Sequence, residues 1–300
     1  MRFKINDNYL SGGSLFMVES PLGTTKRRNK MKYLLSYGAF LSLIFVPVGY
    51  TVADLTDDLV FYFTFDNVEG KRILDESENG LDAEVIENTK FVKGKYGTAI
   101  QITRETEDCV NIPATDELKI SAAITMMAWV YHEDWARSSS QWFDKGCYSK
   151  ELGSYGMAVL GEEHFPELGA LENGSGISLI LANDTAVHIH MLPNKMENRT
   201  WHHIVGTYDD KATKIYLDGE VILESHSGFE FSGTNDEDIR IGCAKGEPEY
   251  AFEDGFIDEV GIWSRALSED EIKTVMRGPL FSVSPKDKIA TTWGDIKSQR

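Results

Sequence analysis

Short apolar runs alternate with polar residues along most of the chain after residue 58, and Gly, Asp or Asn separates one run from the next. The clearest runs are LVFYFTF (59–65), AITMMAWVY (123–131), HHIVGTY (202–208) and FIDEVGIW (256–263). Short runs rich in β-branched and aromatic residues are typical of strands in antiparallel sandwiches. Within IYLDGEVIL (215–223), the Asp-Gly pair predicts a tight turn between two strands. We therefore expect an all-β fold with two antiparallel sheets.

One short helix is predicted near the C-terminal end. Ser268 is its N-cap and Glu271, three residues later, completes a capping box, so the helix covers residues 269–277 before a Gly-Pro pair ends it. No internal repeat and no long linker divides residues 54–278, which predicts a single domain. Residues 279–300 form a polar tail.

The first 53 residues have the layout of a secretory signal. Five basic residues between positions 26 and 32 precede an uncharged apolar stretch, residues 33–53, that contains Pro47 and ends in small residues. Met31 would be an ordinary start for such a signal, which would make residues 1–30 an over-long N-terminus. An uncleaved stretch of this length would instead anchor the chain in a membrane. We expect cleavage, and so a secreted or cell-surface protein, extracellular or periplasmic.

Charge narrows the range of partners. The chain carries a net charge of −18; its first 53 residues contribute +5 (seven basic and two acidic residues), which leaves −23 on the remainder. A surface this acidic repels phosphate backbones and anionic lipid head groups. Nucleic acid is therefore excluded as a partner, a membrane is expected only if the apolar segment stays uncleaved, and cations such as calcium are attracted.

Three cysteines, Cys109, Cys147 and Cys243, follow the signal region. In an oxidising compartment one disulfide is expected, and the third cysteine stays free or pairs with another chain. The sequence leaves all three pairings open.

Several motifs, in a fixed order, together resemble the laminin G-like, or concanavalin A-like, domains of secreted proteins. They include FYFTFDNVEG (61–70), KYGTAIQI (95–102), WHHIVGTYD (201–209) and GFIDEVGIWSRALSEDEI (255–272). The resemblance implies a two-sheet jelly roll in which the first and last strands lie close together and close the sandwich.

A carboxylate in the closing strand raises the question of a metal. Strict alternation places Asp258 on one face with Phe256, Val260 and Ile262, and a carboxylate on an apolar face needs a compensating partner. The resemblance implies a structural calcium there, bound by Asp258 and backbone carbonyls. Asp66, at the end of the first strand, is a candidate second ligand, since hard cations collect carboxylate and carbonyl oxygens. The alternative is that Asp258 accepts backbone hydrogen bonds from a neighbouring loop without an ion. Alternation leaves Glu259 in solvent.

The acidic residues and histidines form no recognisable catalytic motif, which favours a protein that is not an enzyme. The Glu-x-Asp-x-x-Glu string of related glucanases is absent, and the nearest acidic cluster, EDGFIDE (253–259), belongs to the closing strand. His188 and His190 share one strand face, but the sequence offers no third metal ligand beside them. The alternative to a binding protein is a glycoside hydrolase or lyase that acts on polysaccharides through an unrecognised site.

Exposed aromatic rings are the recognition element that the sequence makes most plausible. Lectin-like sandwiches stack such rings on sugars beside polar groups. Trp135 and Tyr148 lie in a polar, turn-rich segment, residues 132–155, and are the predicted carbohydrate-binding residues. We therefore expect a secreted, non-catalytic module that recognises a glycan or an extracellular protein. A purely structural surface protein without a small ligand is the third interpretation.

Overall fold

In the computed structural model of the protein, the residues described are 54–86, 89–103, 109–135, 139–147, 152–161, 175–185, 187–193, 196–226, 228–244, 252 and 255–281. They belong to one compact unit, Val52–Arg300. Within these residues, no helix has the length and apolar character needed to cross a membrane.

Seventeen strands and one α-helix are formed by the described residues. The strands are β1 (Leu59–Phe63), β2 (Val68–Glu69), β3 (Arg72–Ile73), β4 (Ala83–Ile86), β5 (Lys90–Lys93), β6 (Thr98–Ile102), β7 (Cys109–Ile112), β8 (Ile124–His132), β9 (Ser139–Lys145), β10 (Tyr155–Gly161), β11 (Ser175–Ala182), β12 (Val187–Pro193), β13 (Trp201–Tyr208), β14 (Thr213–Leu217), β15 (Glu220–Ser225), β16 (Ile239–Ile241) and β17 (Gly255–Trp263). The helix is α1 (Glu269–Met276), and a single 3-10 turn covers Asp116–Leu118.

The strands form two antiparallel sheets. The first sheet has the order β15-β14-β13-β8-β17-β6-β5, and β1 joins it by pairing with β17. The second has the order β12-β11-β10-β9-β16-β7-β4-β3-β2. This is the predicted jelly-roll sandwich, with the first and last strands paired.

Each sheet has an inner face that meets the other sheet and an outer face that does not. Inner-face residues of the first sheet, such as Val130, Ile204 and Ile257, share one buried cluster with residues of the second, such as Val110 and Phe143. Burial of this apolar surface is the main force that holds the two sheets together. Inner positions alternate with outer ones along strands such as β8 and β13, as the sequence pattern predicts.

Helix α1 covers one end of the outer face of the first sheet. Ser268 and Glu271 form the predicted capping box. Ile272 and Val275 belong to a second buried cluster that also contains Met127 and Trp263. Helix α1 therefore covers the part of the outer face around Met127 and Trp263.

One disulfide joins Cys109 to Cys243, with their Cα atoms 5.6 Å apart. The two cysteines extend the ladder in which β7 pairs with β16. Cys147 is the free cysteine. One bond and one free thiol match the expectation from the sequence, and the structure now selects the pairing.

Candidate functional site

The closing strand β17 changes its neighbour at Asp258 and Glu259. Residues 255–257 pair with β6, residues 260–263 pair with β1, and β8 lies along the other edge. The register with β8 shifts at this point, and Glu259 has a φ of +51°. One extra residue in a strand is a β-bulge, which re-aims the side chains around it.

The bulge corrects the predicted alternation. Ile257, Val260 and Ile262 lie in the inner cluster, whereas Trp263 lies in the outer one. Strict alternation had placed Ile257 and Val260 on opposite faces. Glu259 is the inserted residue, so the prediction is wrong for every position after Asp258.

Asp258 is fully buried and its carboxylate is held by backbone N–H groups. Its Oδ2 accepts a hydrogen bond from the Tyr96 N–H at 3.0 Å, and its Oδ1 accepts one from the Glu259 N–H at 2.8 Å. Burial raises the pKa of Asp258 to about 7, although these backbone donors favour the ionised form. The hydrogen-bonded arrangement that was the alternative to a metal is therefore present.

Glu259 is buried rather than solvated, which corrects the prediction for this residue. It is only 2% exposed, and one of its carboxylate oxygens accepts a hydrogen bond from the Tyr62 hydroxyl. Burial, together with the nearby charge of Asp258, raises the pKa of Glu259 to about 8, although the Tyr62 hydrogen bond favours the ionised form. Because both side chains of this pair lie inside the protein, they do not flank an open cleft where a glycosidic bond could be cleaved.

Asp66 and Asp258 meet at the same hairpin, which joins β5 to β6. A Cβ atom at Gly94 would collide with Asp258 Oδ2, and one at Gly97 would collide with the carboxylate of Asp66. The Asp66 charge raises the pKa of both Asp258 and Glu259. A hard cation would relieve this repulsion. Among the described residues no three His, Cys, Asp or Glu side chains gather as a ligand set, so carbonyl oxygens would have to complete the coordination.

Trp135, one of the two predicted sugar-binding aromatics, is buried. Trp135 is 1% exposed; its indole Nε1 donates to the Glu197 carbonyl at 3.2 Å, and its ring packs against His132 and Phe252. The predicted exposure of Trp135 is therefore wrong, because surrounding loops enclose it. Tyr148 lies outside the described residues.

The histidine pair of the sequence analysis lies on β12. His188 pairs with Leu181 and His190 with Leu179 on the neighbouring strand β11. Their side chains lie outside the described part of the structure.

Three other aromatic residues form a half-exposed patch on the outer face of the first sheet. Tyr131, Trp201 and Phe256 come from the adjacent strands β8, β13 and β17. The Tyr131 ring centroid lies 5.8 Å from that of Trp201 and 5.1 Å from that of Phe256, and the latter two are 6.2 Å apart. We call these three residues the aromatic platform. Glu133 and Arg199 pair beside it at 2.8 Å.

Alternation along the strands is the sequence signal for the platform. In β8 the inner positions include Ala128 and Val130, so Tyr131 must face outward. The same alternation turns Trp201 and Phe256 outward. Register between the three strands, which the sequence does not reveal, then places the rings side by side.

A second row lies next to the platform, toward helix α1. Trp129 and His203 sit two residues from Tyr131 and Trp201 on the same strands, with ring centroids 5.1 Å apart. The Lys95 ammonium lies 4.0 Å from the Trp129 ring centroid, a cation–π contact. Burial lowers the pKa of His203 to about 3, so this imidazole is neutral.

Comparison with solved structures finds sandwiches of the same fold in binding domains. The binding domain of Paraclostridial Mosquitocidal Protein 1 aligns with a TM-score of 0.56 at 17% identity over 74% of this chain, which spans 52% of that domain. Domain 4 of AbnA, an extracellular GH43 arabinanase of Geobacillus stearothermophilus in complex with arabinotriose, aligns with a TM-score of 0.55 at 16% identity, over 73% of this chain and 98% of that domain.

A third neighbour is the binding domain of Botulinum neurotoxin DC in complex with rat synaptotagmin II. It aligns with a TM-score of 0.53 at 10% identity, over 74% of this chain and 52% of that one. Identities this low show the fold alone. Comparison with curated protein sequences finds no match.

Comparison of the sequence with protein-family models assigns the chain to a family. The laminin G model described as the concanavalin A-like lectin/glucanases superfamily matches residues 104–273, more than half of the 300 residues. That match covers the strands from β7 to β17 and most of helix α1. The chain therefore belongs to the laminin G family of the concanavalin A-like lectin/glucanases superfamily.

Proposed function

We propose that the protein is a non-catalytic module that binds a glycan or a partner protein outside the cell. The aromatic platform carries this proposal. Three rings in contact, half-exposed and at the open end of a sheet face, offer sugars or apolar side chains a stacking surface. The paired charges of Glu133 and Arg199 supply polar groups at its rim.

The structural neighbours support a binding role without fixing the ligand. Domain 4 of AbnA is in complex with arabinotriose and the binding domain of Botulinum neurotoxin DC with rat synaptotagmin II, so sandwiches of this fold occur in complexes with sugars and with proteins. A disulfide fits an oxidising, extracellular environment. Of the two kinds of ligand, we favour a glycan, because the platform is built of flat rings rather than a deep apolar groove.

A structural calcium at the β5–β6 hairpin is part of the same proposal. Asp66 and Asp258 would hold the ion together with backbone carbonyl oxygens. Its charge would offset the repulsion that raises the pKa of Asp258 and Glu259. It would tie the end of β1 to the closing strand and so stiffen the edge of the first sheet.

A glycan array tests the binding function. Wild-type protein should bind a small set of glycans, and Trp201→Ala should lose that binding because one ring of the platform is removed. Val221→Ala is the matched control, since Val221 is an exposed apolar residue of the same sheet, 39% accessible and on β15. If Trp201→Ala and Phe256→Ala leave the array pattern unchanged, the platform is not the binding site.

A further inference from the structure

A single row of outer-face residues crosses five strands of the first sheet. In register, Trp201 stands opposite Tyr131, Tyr131 opposite Phe256, Phe256 opposite Gln101, and Gln101 opposite Lys90. With neighbouring strands about 4.8 Å apart, the row is about 19 Å long. It leads from the aromatic platform through an amide to an exposed ammonium group.

Two lysines of this surface have no carboxylate partner among the described residues. They are Lys90, at the end of the row, and Lys95, whose ammonium lies 4.0 Å from the centre of the Trp129 ring beside the platform. Three other lysines form ion pairs with carboxylates: Lys119 with Asp116 at 2.8 Å, Lys214 with Glu224 at 3.2 Å and Lys273 with Glu269 at 2.5 Å. This surface therefore carries two ammonium groups that no described carboxylate neutralises, while the acidic Glu133 beside the platform is paired with Arg199.

Buried polar atoms beside Lys95 also lack partners. The Trp129 Nε1 and both ring nitrogens of His203 are enclosed and form no hydrogen bond with the described residues. Buried polar groups are normally paired, so an unpaired set calls for an explanation such as a missing ion, water or ligand group. The indole and neutral imidazole can each donate an N–H, and together with an ammonium they suit an anionic acceptor.

We propose that this row binds an acidic polysaccharide built of uronic acids. The chain would lie across the strands, with pyranose faces on the aromatic platform and carboxylates directed at Lys90 and Lys95. A sugar chain fits better than an acidic peptide because the three aromatic rings lie in one row with Lys90, and successive sugar rings can stack on them. The inference rests on the proposed function and adds the class of ligand.

Two tetrasaccharides, one charged and one neutral, distinguish recognition of the ligand's carboxylates from recognition of its sugar rings. The full chain is titrated by calorimetry with tetragalacturonate and with its fully methyl-esterified form, which keeps the sugar rings but has no charge. Wild type should bind the acid at least about tenfold more tightly than the ester, because charge-assisted hydrogen bonds are lost on esterification. The double variant Lys90→Gln/Lys95→Gln should lose that preference while its affinity for the ester stays the same.

Lys93→Gln is the matched control. Lys93 is an exposed residue of the same strand β5, but alternation places it on the opposite face from Lys90, so its substitution should leave both affinities unchanged. Trp201→Ala should weaken the acid and the ester alike. The proposal of an acidic ligand is refuted if wild type binds tetragalacturonate no more tightly than its ester, or if the double variant still prefers tetragalacturonate. Neither result contradicts binding at the aromatic platform.

Two further results would refute different parts of the proposal. Affinities that do not change in Trp201→Ala refute the platform itself, and with it the proposed function. Displacement of tetragalacturonate by poly-L-glutamate at equal carboxylate concentration shows that any polyanion is accepted, which refutes a uronic acid polymer as the specific ligand.

Discussion

The disulfide between Cys109 and Cys243 should supply a large share of the folding stability. Its cysteines are separated by 134 residues, and the chain-entropy relation for a loop of that length gives about 5 kcal/mol at 25 °C. Domains are usually stable by only about 5–15 kcal/mol in total. Removing the bond should therefore cost about a third or more of the stability, because the unfolded chain regains the freedom that the closed loop denied it.

Urea unfolding of the full chain measures this contribution. The double variant Cys109→Ser/Cys243→Ser is compared with wild type and with Cys147→Ser, which removes the free thiol and keeps the bond. We expect a loss of about 3–5 kcal/mol in the double variant. Wild type in reducing agent should unfold like the double variant.

A small effect of the double variant would refute the expected contribution of the disulfide. If the double variant unfolds within about 1 kcal/mol of wild type, the β7–β16 ladder alone holds the two ends together. Wild type and Cys147→Ser should lose the same stability on reduction, because Cys147 closes no loop; a Cys147→Ser variant that does not respond to reducing agent would contradict the pairing.

Three further outcomes concern the first sheet. Calcium at a hundredfold excess over its dissociation constant should stabilise wild type by about 2.7 kcal/mol, which corresponds to a rise in Tm of about 5–10 °C. Asp66→Asn or Asp258→Asn should abolish this rise, and an equal Tm of wild type in calcium and in chelator would refute calcium binding. The folded pKa of His203 is about 3 and its unfolded pKa is about 6.5, so the imidazole's own contribution to stability should fall by about 2 kcal/mol at pH 5, whereas the raised folded pKa values of Asp258 and Glu259 act in the opposite direction. In urea titrations at pH 7 and 5, wild type should therefore lose about 2 kcal/mol relative to His203→Phe, and equal pH dependence in the two proteins would refute a neutral buried His203. Gly97→Ala should lower Tm more than Gly70→Ala, since both have positive φ but only the Gly97 Cβ meets a carboxylate; equal losses would contradict the contact.

Much of the fold was predictable because local rules and tertiary packing agree. Alternation marks β8 and β13, the Asp-Gly pair marks the β14–β15 turn, and Ser268 with Glu271 caps the helix as predicted. The closing strand is different, because its bulge depends on a change of partner from β6 to β1. No residue in FIDEVGIW indicates that change. Glu259 was therefore predicted to lie in solvent, whereas it is buried and accepts a hydrogen bond from the Tyr62 hydroxyl.

The candidate site was predicted less well, for a related reason. Trp135 lies in a polar segment, and polarity around a residue does not reveal that loops will enclose it. Tyr131 and Trp201 lie in strands and were treated as part of the fold. Exposure of an aromatic residue in a strand depends on which end of the sheet the helix covers, and that is settled only when α1 packs over Met127 and Trp263.

The position of the platform also follows from where the chain enters and leaves the sandwich. The Trp263 Nε1 donates to the Leu55 carbonyl at 2.7 Å, and Leu280 packs on the same outer cluster. Both ends of the described domain therefore lie at the C-terminal end of β17. Phe256 lies seven residues earlier, about 20 Å along the strand. Any segment joined at residue 54 or at residue 281 therefore starts at the far end of β17 from the platform.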